Sequence, residues 1–217
     1  MRTTQLRSPW HHGSYLYILT IKPNTVSMSA TMGARRLQIL EAAVPCFGRY
    51  GYARTSIDLL AKAAGMSRPA LYQHFKSKEH LFQAMVECAF DVADRQAAEA
   101  SRSGGTLADR LYGMLAARLD LVAGPETEFR DEVLREAEAI AGPIVTRARE
   151  RLVSAVEDVL TSAAPPHLGA ELPAHDVARL LVDALTGIEL ARGPIDELRG
   201  RLRQLVELTV RGLGAPV

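Results

Sequence analysis

The stretch Ser67–Phe82, SRPALYQHFKSKEHLF, decides the fold of this chain because it breaks several rules of ordinary helices. Pro69 lies near the start of a helical run, and Lys78 opens the next run, where the helix dipole favours an acidic residue. Proline is tolerated in a first helical turn, because the N–H that it lacks has no intrahelical partner there. We interpret the stretch as two helices separated by a break, with Ser67 and Ser77 as their N-caps.

In the first of these helices, apolar and polar side chains fall on opposite faces. Leu71 and Phe75 are four residues apart and share one face, so they are predicted to pack inward. The opposite face carries Pro69 and Gln73, and an arginine and a tyrosine flank them. Such an exposed face has no structural role within the chain and suits a groove.

A further short helix precedes this one and completes a helix-turn-helix over residues 56–75. Thr55 and Asp58 match a capping box, which makes Thr55 the predicted N-cap of the earlier helix. The turn between the helices is Gly65-Met66-Ser67. This motif places the second helix in the major groove of DNA.

The side chains of the second helix match the chemistry of DNA. Arg68 and Gln73 are suited to read base edges, arginine against guanine and glutamine against adenine, and Ala70 can contact a thymine methyl group. Tyr72 and His74 can hydrogen-bond with phosphates, which position the protein without specifying sequence. The alternatives are that Tyr72 mainly packs and that His74 shields the core.

Basic residues at other helix starts extend the predicted interface. Lys78 and the free N–H groups beside it are expected to bind a phosphate, which reverses the cost of a cation there. Arg36 opens the first helix and is expected to reach a phosphate or the minor groove. The alternative for a single exposed lysine is that it is only solvated.

Charge is distributed unevenly along the 217 residues, although the net charge is only +1. Residues 34–80 carry eight basic and three acidic residues, whereas residues 81–217 carry 15 basic and 22 acidic ones. Such asymmetry is expected where one segment meets a polyanion.

No apolar run is long enough to span a membrane. Cys46 and Cys88 match no metal spacing, so a reducing, cytoplasmic setting is expected, with both cysteines buried rather than redox-active.

Helical periodicity dominates after residue 32, and strand signals are almost absent. The prediction is an all-α protein of about nine helices. Their approximate spans are 34–50, 57–64, 68–75, 78–101, 106–123, 126–141, 143–163, 174–191 and 195–213. Pro45 lies inside the first span and is expected to kink that helix unless it is accommodated.

The run from Arg36 to about Phe90 resembles the DNA-binding domain of the TetR family of transcriptional regulators. It covers about a quarter of the chain. The residues that carry the resemblance are Ile39-Leu40-Glu41-Ala42-Ala43, Phe47, Tyr50-Gly51-Tyr52, Thr55-Ser56-Ile57, Gly65-Met66-Ser67, Leu71-Tyr72-Gln73-His74-Phe75 and Lys76-Ser77-Lys78-Glu79-His80-Leu81.

The resemblance implies a helical homodimer with a three-helix DNA-binding head and a C-terminal domain that binds a small effector. It implies that Ser67, Arg68, Pro69, Ala70, Tyr72, Gln73, His74 and Lys78 face DNA. It also implies that Thr55 and Ser56 lie at a helix start that contacts phosphate.

The expected domains are the head, residues 33–93, and the C-terminal domain, residues 94–217. Residues 1–32 are interpreted as a loose tail, and an upstream start codon is one explanation for it.

The C-terminal helices offer candidates for the effector site and the dimer interface. The candidate effector residues are Tyr112, Leu115, Arg118, Phe129 and Arg135. An anionic ligand is one possibility for Arg118, and a surface ion pair is the favoured alternative. Glu136 and Glu138 are interpreted as part of a solvated face. The candidate interface residues on the last two helices are Leu181, Leu185, Ile188, Leu202, Leu205 and Val206.

The predicted function is a DNA-binding transcriptional regulator, a repressor released from a palindromic operator by a small effector. One alternative is a regulator without a small ligand, and another is a helical enzyme. No Ser-His-Asp order, glycine-rich phosphate loop or metal-spaced His/Cys set is present, so no catalytic activity, metal or cofactor is predicted.

Overall fold

The computed structural model describes residues 33–122, 127–191 and 193–216, with side chains described outside 122–134. These ranges are helical apart from their connections and an isolated bridge between Gly169 and Leu172. The helices are α1 (Ala34–Arg54), α2 (Ile57–Ala63), α3 (Arg68–His74), α4 (Lys78–Ser101), α5 (Leu107–Val122), α6 (Thr127–Ala163), α7 (Ala174–Leu190) and α8 (Ile195–Gly212). No helix in the described ranges combines the length and apolar character that a membrane span requires.

The all-α prediction is confirmed, but the described residues form eight helices, not nine. The predicted segments 126–141 and 143–163 belong to one helix, α6, which is kinked at Ala141, where φ is −126° and ψ is 20°. Pro143 follows the kink by two residues and therefore lies in the first turn of the second half. Proline is tolerated at that point, so the proline accompanies a kink and does not end the helix.

Helix α1 is interrupted at Gly51 rather than at Pro45. Gly51 has φ 69° and ψ 169°, a conformation that glycine adopts without steric cost, and one more turn follows as far as Arg54. Gly51 is thus the end of the regular part of α1, as the sequence predicts, but not the end of the helix. Helical dihedral angles continue through Pro45, so the proline is accommodated.

Helices α1 to α3 and the first half of α4 enclose one hydrophobic core, which we call the head core. Leu71 of α3 and Phe75, directly after α3, are fully buried in it, which confirms the predicted inward face. The ring of Phe82 makes edge contacts with Phe47 and Tyr52, with centroids 5.1 and 5.2 Å apart. Burying side chains of this size stabilises the head by roughly 2–3 kcal/mol each.

A second core, the body core, lies between the end of α4 and helices α5, α6, α7 and α8. Its fully buried side chains recur at helical spacing, as in Leu111, Leu115 and Leu119 of α5. Helix α6 contributes to both cores. Ala141 and Ala148 pack in the head core, whereas Val156 and the residues around it pack in the body core.

Candidate nucleic-acid interface

Helix α3 presents a polar face to the outside of the head. Pro69 and Gln73 are exposed, and Tyr72 is 41% exposed although its ring is large. Ala70 and His74 lie half-buried at the edges of this face. A short helix with one anchored face and one polar face has the shape that can enter the major groove.

Serine side chains fix where α3 and α4 begin. The Ser67 hydroxyl accepts a hydrogen bond from the Ala70 N–H at 3.3 Å, and the Ser77 hydroxyl accepts one from the His80 N–H at 3.0 Å. Pro69 lies in the first turn of α3. Both predicted N-caps and the placement of the proline are confirmed.

Arg68 is held loosely on the exposed side of α3. Its Nη1 lies 3.6 Å from an oxygen of Asp58 on α2, and its guanidinium lies 5.8 Å from the centroid of the Tyr72 ring. The pKa of Arg68 is above its ordinary value, first because of a hydrogen bond with Tyr72 and then because of the Asp58 charge. Exposed ion pairs contribute little to stability, so Arg68 can exchange Asp58 for another partner.

The N-cap of α2 is Ser56, so the predicted capping box at Thr55 is wrong. The Ser56 hydroxyl accepts from the Leu59 N–H at 3.1 Å. Thr55 is only 1% exposed, and its hydroxyl donates to the carbonyl oxygen of Gly51 at 2.7 Å. The hydroxyl of Thr55 is therefore engaged at the end of α1, and the exposed serine is the residue placed to meet a phosphate.

Arg36 joins α1 to the end of α3. Its Nη1 donates to the carbonyl oxygen of His74 at 3.0 Å, and its guanidinium lies over the Phe75 ring at 4.5 Å from the centroid. A cation is favourable at a helix C-terminus, where carbonyl groups lack partners. This contact gives Arg36 a structural role that the sequence did not predict.

Lys78 has an intramolecular partner at the end of α1. Its Nζ donates to the carbonyl oxygen of Tyr52 at 2.8 Å and lies 4.1 Å from the centroid of the Tyr52 ring. The unfavourable position of a cation at the start of α4 is therefore offset by a carbonyl and an aromatic ring. An ammonium group has three donors, so a phosphate contact is still compatible with this arrangement.

A helix-turn-helix with an exposed polar recognition helix, attached to a separate helical body, defines the class of DNA-binding transcriptional regulators. Residues 39–85 match the model of the bacterial regulatory proteins, tetR family. The HTH-type transcriptional repressor Rv1474c of Mycobacterium tuberculosis is 33% identical over 193 residues, covering 83% of this chain and 95% of the relative. The chain therefore belongs to the TetR family and is a DNA-binding transcriptional regulator.

Two further comparisons agree with this family. The HTH-type transcriptional activator FasR of Mycolicibacterium smegmatis is 31% identical over 131 residues, or 58% of this chain and 59% of the relative. The crystal structure of a TetR-family regulator from Pectobacterium atrosepticum gives a TM-score of 0.65 at 25% identity. That match covers 85% of this chain and 96% of the solved one.

The described candidate effector residues do not meet in one cavity. Leu115 is fully buried in the body core, Arg135 is exposed, and Phe129 lies outside the described side chains. Tyr112 lines a cleft of about 200 Å³ between α5 and α8, where the guanidinium of Arg203 lies 4.0 Å from its ring centroid. The sequence does not reveal which faces of these helices are turned into the core, and the effector site stays a prediction.

Arg118 forms an ion pair, as the favoured alternative predicts, but the pair is buried rather than at the surface. Its Nε lies 3.5 Å from Glu189 Oε1, with the two side chains 15% and 8% exposed. The Arg118 guanidinium also lies 4.0 Å from the centroid of the Phe90 ring. Burial lowers the pKa of Arg118, and the Glu189 charge opposes that effect.

Four of the predicted dimer residues face the interior of their own chain. Leu181, Leu185, Leu202 and Val206 are at most 2% exposed, and Ile188 and Leu205 pack half-buried against the same core. The four buried residues cannot form the surface predicted for them. The exposed leucines of these helices are Leu180, Leu190 and Leu208, at 64%, 61% and 71% exposure.

Both cysteines are buried, as predicted. Burial raises the pKa of Cys46, and burial together with the nearby Asp91 raises the pKa of Cys88 to about 11. Since the thiolate is the reactive form, neither thiol is poised for redox chemistry.

The contact between Glu136 and Tyr52 is one that the sequence does not predict. The sequence predicts a solvated face here, but both carboxylate oxygens accept from the Tyr52 N–H, at 2.8 and 3.0 Å. Residues 84 positions apart carry no shared local signal, so periodicity could not have revealed this pair.

Proposed function

We propose that this regulator is a repressor that binds a palindromic operator as a homodimer and releases it when a small effector binds the body. The observation that carries the DNA-binding part is the exposed face of α3, anchored by Leu71 and Phe75 on its other side. The name of the M. tuberculosis relative, a transcriptional repressor, supports the direction of regulation. Such a protein acts in the cytoplasm, where bacterial DNA lies.

In this proposal Arg68 and Gln73 read base edges, and the hydroxyls of Ser56, Ser67 and Tyr72 bind phosphates. Arg68 fits the reading role because its side chain is exposed and its Asp58 pair is easily exchanged. Pro69 and Ala70 lie close to the base edges, and His74 and Lys78 lie along the backbone. Arg36 and Thr55 support the interface from within the head.

The homodimer is supported by the exposed leucines of α7 and α8. Leu180 and Leu190 on α7 and Leu208 on α8 are large apolar groups in water in the single chain. Gly187 has open space around its Cα, which permits close approach of another helix. Two recognition helices related by a two-fold axis, roughly 34–36 Å apart, read a palindrome that one helix cannot select.

The effector is proposed from family membership, and the cleft beside Tyr112 is one space among the described residues that can admit a small polar ligand. Arg203, Asp109 and Glu207 give that cleft charges of both signs. A second candidate is a regulator without a small ligand. The fully buried Leu111, Leu115 and Leu119 favour it, because they fill the described body core.

Selection of bound sites from random duplex DNA tests the proposal. The wild-type protein is expected to select a palindrome with a steep salt dependence, because several phosphates are neutralised. Arg68→Ala should lose discrimination at one position of each half-site by about tenfold or more. A site without two-fold symmetry would refute the dimeric operator.

Expression of the neighbouring genes in a deletion strain tests the direction of regulation. Repression predicts that transcripts from a promoter containing the selected site rise when the regulator is deleted. A fall in these transcripts would instead assign the activator role that the relative FasR carries in its name.

A further inference from the structure

Glu136 connects the body helix α6 to the interrupted end of α1. Its carboxylate oxygens accept from the Tyr52 N–H at 2.8 and 3.0 Å. Gly51, directly before Tyr52, interrupts the helical dihedral angles, so this N–H begins a new turn and needs a partner from outside. A hydrogen bond from a helix-start N–H to a carboxylate is charge-assisted and is stronger than a neutral one.

Tyr52 is held from three sides by different elements. Its N–H binds Glu136 of α6, and its carbonyl oxygen accepts from Lys78 Nζ of α4 at 2.8 Å. Its ring packs against Phe82 of α4 and Phe47 of α1. Burial of the phenol raises the pKa of Tyr52, and the charges of Glu79 and Glu136 add to the effect. Tyr52 is therefore the point where α1, α4 and α6 meet.

Glu136 lies on the first half of α6, which ends at the kink. Gln83 of α4 donates through Nε2 to the carbonyl oxygen of Ile140 at 2.9 Å, one residue before the kinked Ala141. Ala141 is 1% exposed and belongs to the head core. The first half of α6 is thus attached to the head by two hydrogen bonds and by packing. Head-core packing continues past the kink as far as Ala148, and the body core takes over from Leu152 onward.

We propose that Glu136 is a positioning residue that sets the orientation of the head on the body, and thereby the half-site spacing that the dimer accepts. The contacts are continuous: Glu136 holds Tyr52 at the end of α1, and Arg36 at the start of α1 holds the carbonyl of His74 at the end of α3. A tilt of α6 therefore moves the recognition helix. The proposal rests on the proposed binding to a two-fold-symmetric operator.

The test measures binding to a series of duplexes whose half-sites are separated by the selected spacing or by one or two base pairs more or fewer. Wild-type protein is expected to prefer one spacing. Glu136→Ala should reduce that preference by about tenfold, roughly the factor that one hydrogen bond to a charged group contributes. Glu136→Gln keeps one acceptor and should fall between the two. Glu138→Ala, an exposed carboxylate on the same helix, is the matched control and should behave as wild type.

Three outcomes would overturn the proposal. An unchanged spacing preference in Glu136→Ala would show that the contact does not set the geometry. Equal loss at every spacing, with a lower melting temperature, would show a purely structural role. A wild-type protein that tolerates all spacings equally would refute the symmetric operator itself, and this inference with it.

Amide hydrogen exchange at Tyr52 tests the contact without DNA and without the dimeric operator. The Tyr52 N–H should be protected in the wild type, at least tenfold less protected in Glu136→Ala, and unchanged in Glu138→Ala. Rapid exchange of this amide in the wild type would contradict the contact directly.

Discussion

Part-buried cations of the head and of the body lie over aromatic rings in both regions but differ in their polar partners. In the head, Arg36 and Lys78 donate to backbone carbonyls and lie over aromatic rings. Arg54 likewise donates to the carbonyl of Tyr50 at 3.0 Å. A carbonyl group or an aromatic ring fixes the position of a cation but does not neutralise its charge.

In the body, two part-buried cations pair with carboxylates, and one of them, Arg118, also lies over an aromatic ring. Arg118 pairs with Glu189, and Arg199 Nη2 lies 2.8 Å from an oxygen of Asp120. A carboxylate offsets the charge of its partner at a distance, so these two pairs add little positive potential to the body. The numbers of charged residues make this possible, since acids outnumber bases after residue 80 and are outnumbered before it.

This difference in the partners of the cations explains how a chain with almost no net charge can still bind a polyanion. With three acidic residues against eight basic ones, the segment 34–80 cannot pair most of its cations, and it fixes several of them on carbonyls instead. The cations are then held in fixed positions without being neutralised, so the segment keeps a positive electrostatic field. Arg68 has an acidic partner, Asp58, but that pair is exposed and weak.

The largest effect is expected from breaking the ion pair of the body. Glu189→Leu leaves the guanidinium of Arg118 buried without its carboxylate, which should lower the free energy of unfolding by about 3 kcal/mol. Urea denaturation measures this loss. The double variant Arg118→Met/Glu189→Leu removes both charges and should recover most of it. A single variant as stable as the wild type would show that the body does not depend on this pairing.

The second effect concerns Cys88, whose thiol lies on α4 within the head core. Its folded-state pKa, about 11, is above the ordinary 9.0, so its contribution is fully present below pH 9 and is lost as the pH rises toward 11. Over that window the wild type should lose about 2 kcal/mol more than Cys88→Ala does. Unfolding curves at pH 8 and at pH 11 measure the difference. Parallel losses in the two proteins would contradict the shift.

The smallest effect on stability is expected from a substitution of Lys78. This substitution tests whether the ammonium group only stabilises the head or also binds a phosphate. Lys78→Met loses one hydrogen bond and a cation–π contact, which should cost about 1 kcal/mol of unfolding free energy. If the ammonium also binds a phosphate, the slope of log affinity against log salt should fall by about one unit for every DNA sequence.

Lys76→Met is the matched control for this variant, because Lys76 is exposed and carries the same charge two residues earlier. It should leave stability within about 0.5 kcal/mol of the wild type. If Lys78→Met is destabilised but keeps the wild-type salt slope, its ammonium only caps α1 and has no phosphate contact.

The parts of the interface that could be predicted from the sequence depend on local periodicity. Leu71 and Phe75 face inward because they are four residues apart on a helix, and Ser67 and Ser77 cap because a serine directly precedes each helix. These rules involve neighbours within one turn. The exposed face of α3 was therefore predictable residue by residue.

The contacts that escaped prediction depend on distant partners or on single-residue register. Arg36 binds a carbonyl 38 residues away, and Lys78 binds one 26 residues away, so no local pattern marks either contact. Thr55 and Ser56 both suit an N-cap, and only the folded backbone selects the serine. An amphipathic stripe predicts that a face is buried but not what covers it. The sequence therefore predicts Leu181 and Leu202 at a dimer interface, whereas their own chain buries them.

The sharing of α6 between two cores also bears on where this chain can be cut. A fragment that ends near residue 93 would contain the recognition helix but would lack Ala141 and Ala148, which complete the head core, and the carboxylate on Tyr52. Its unfolding should therefore be less cooperative than that of the intact chain. The unit that can be transplanted onto another regulator is discontinuous in sequence, and a working chimera needs α6 as far as Ala148 together with α1 to α4.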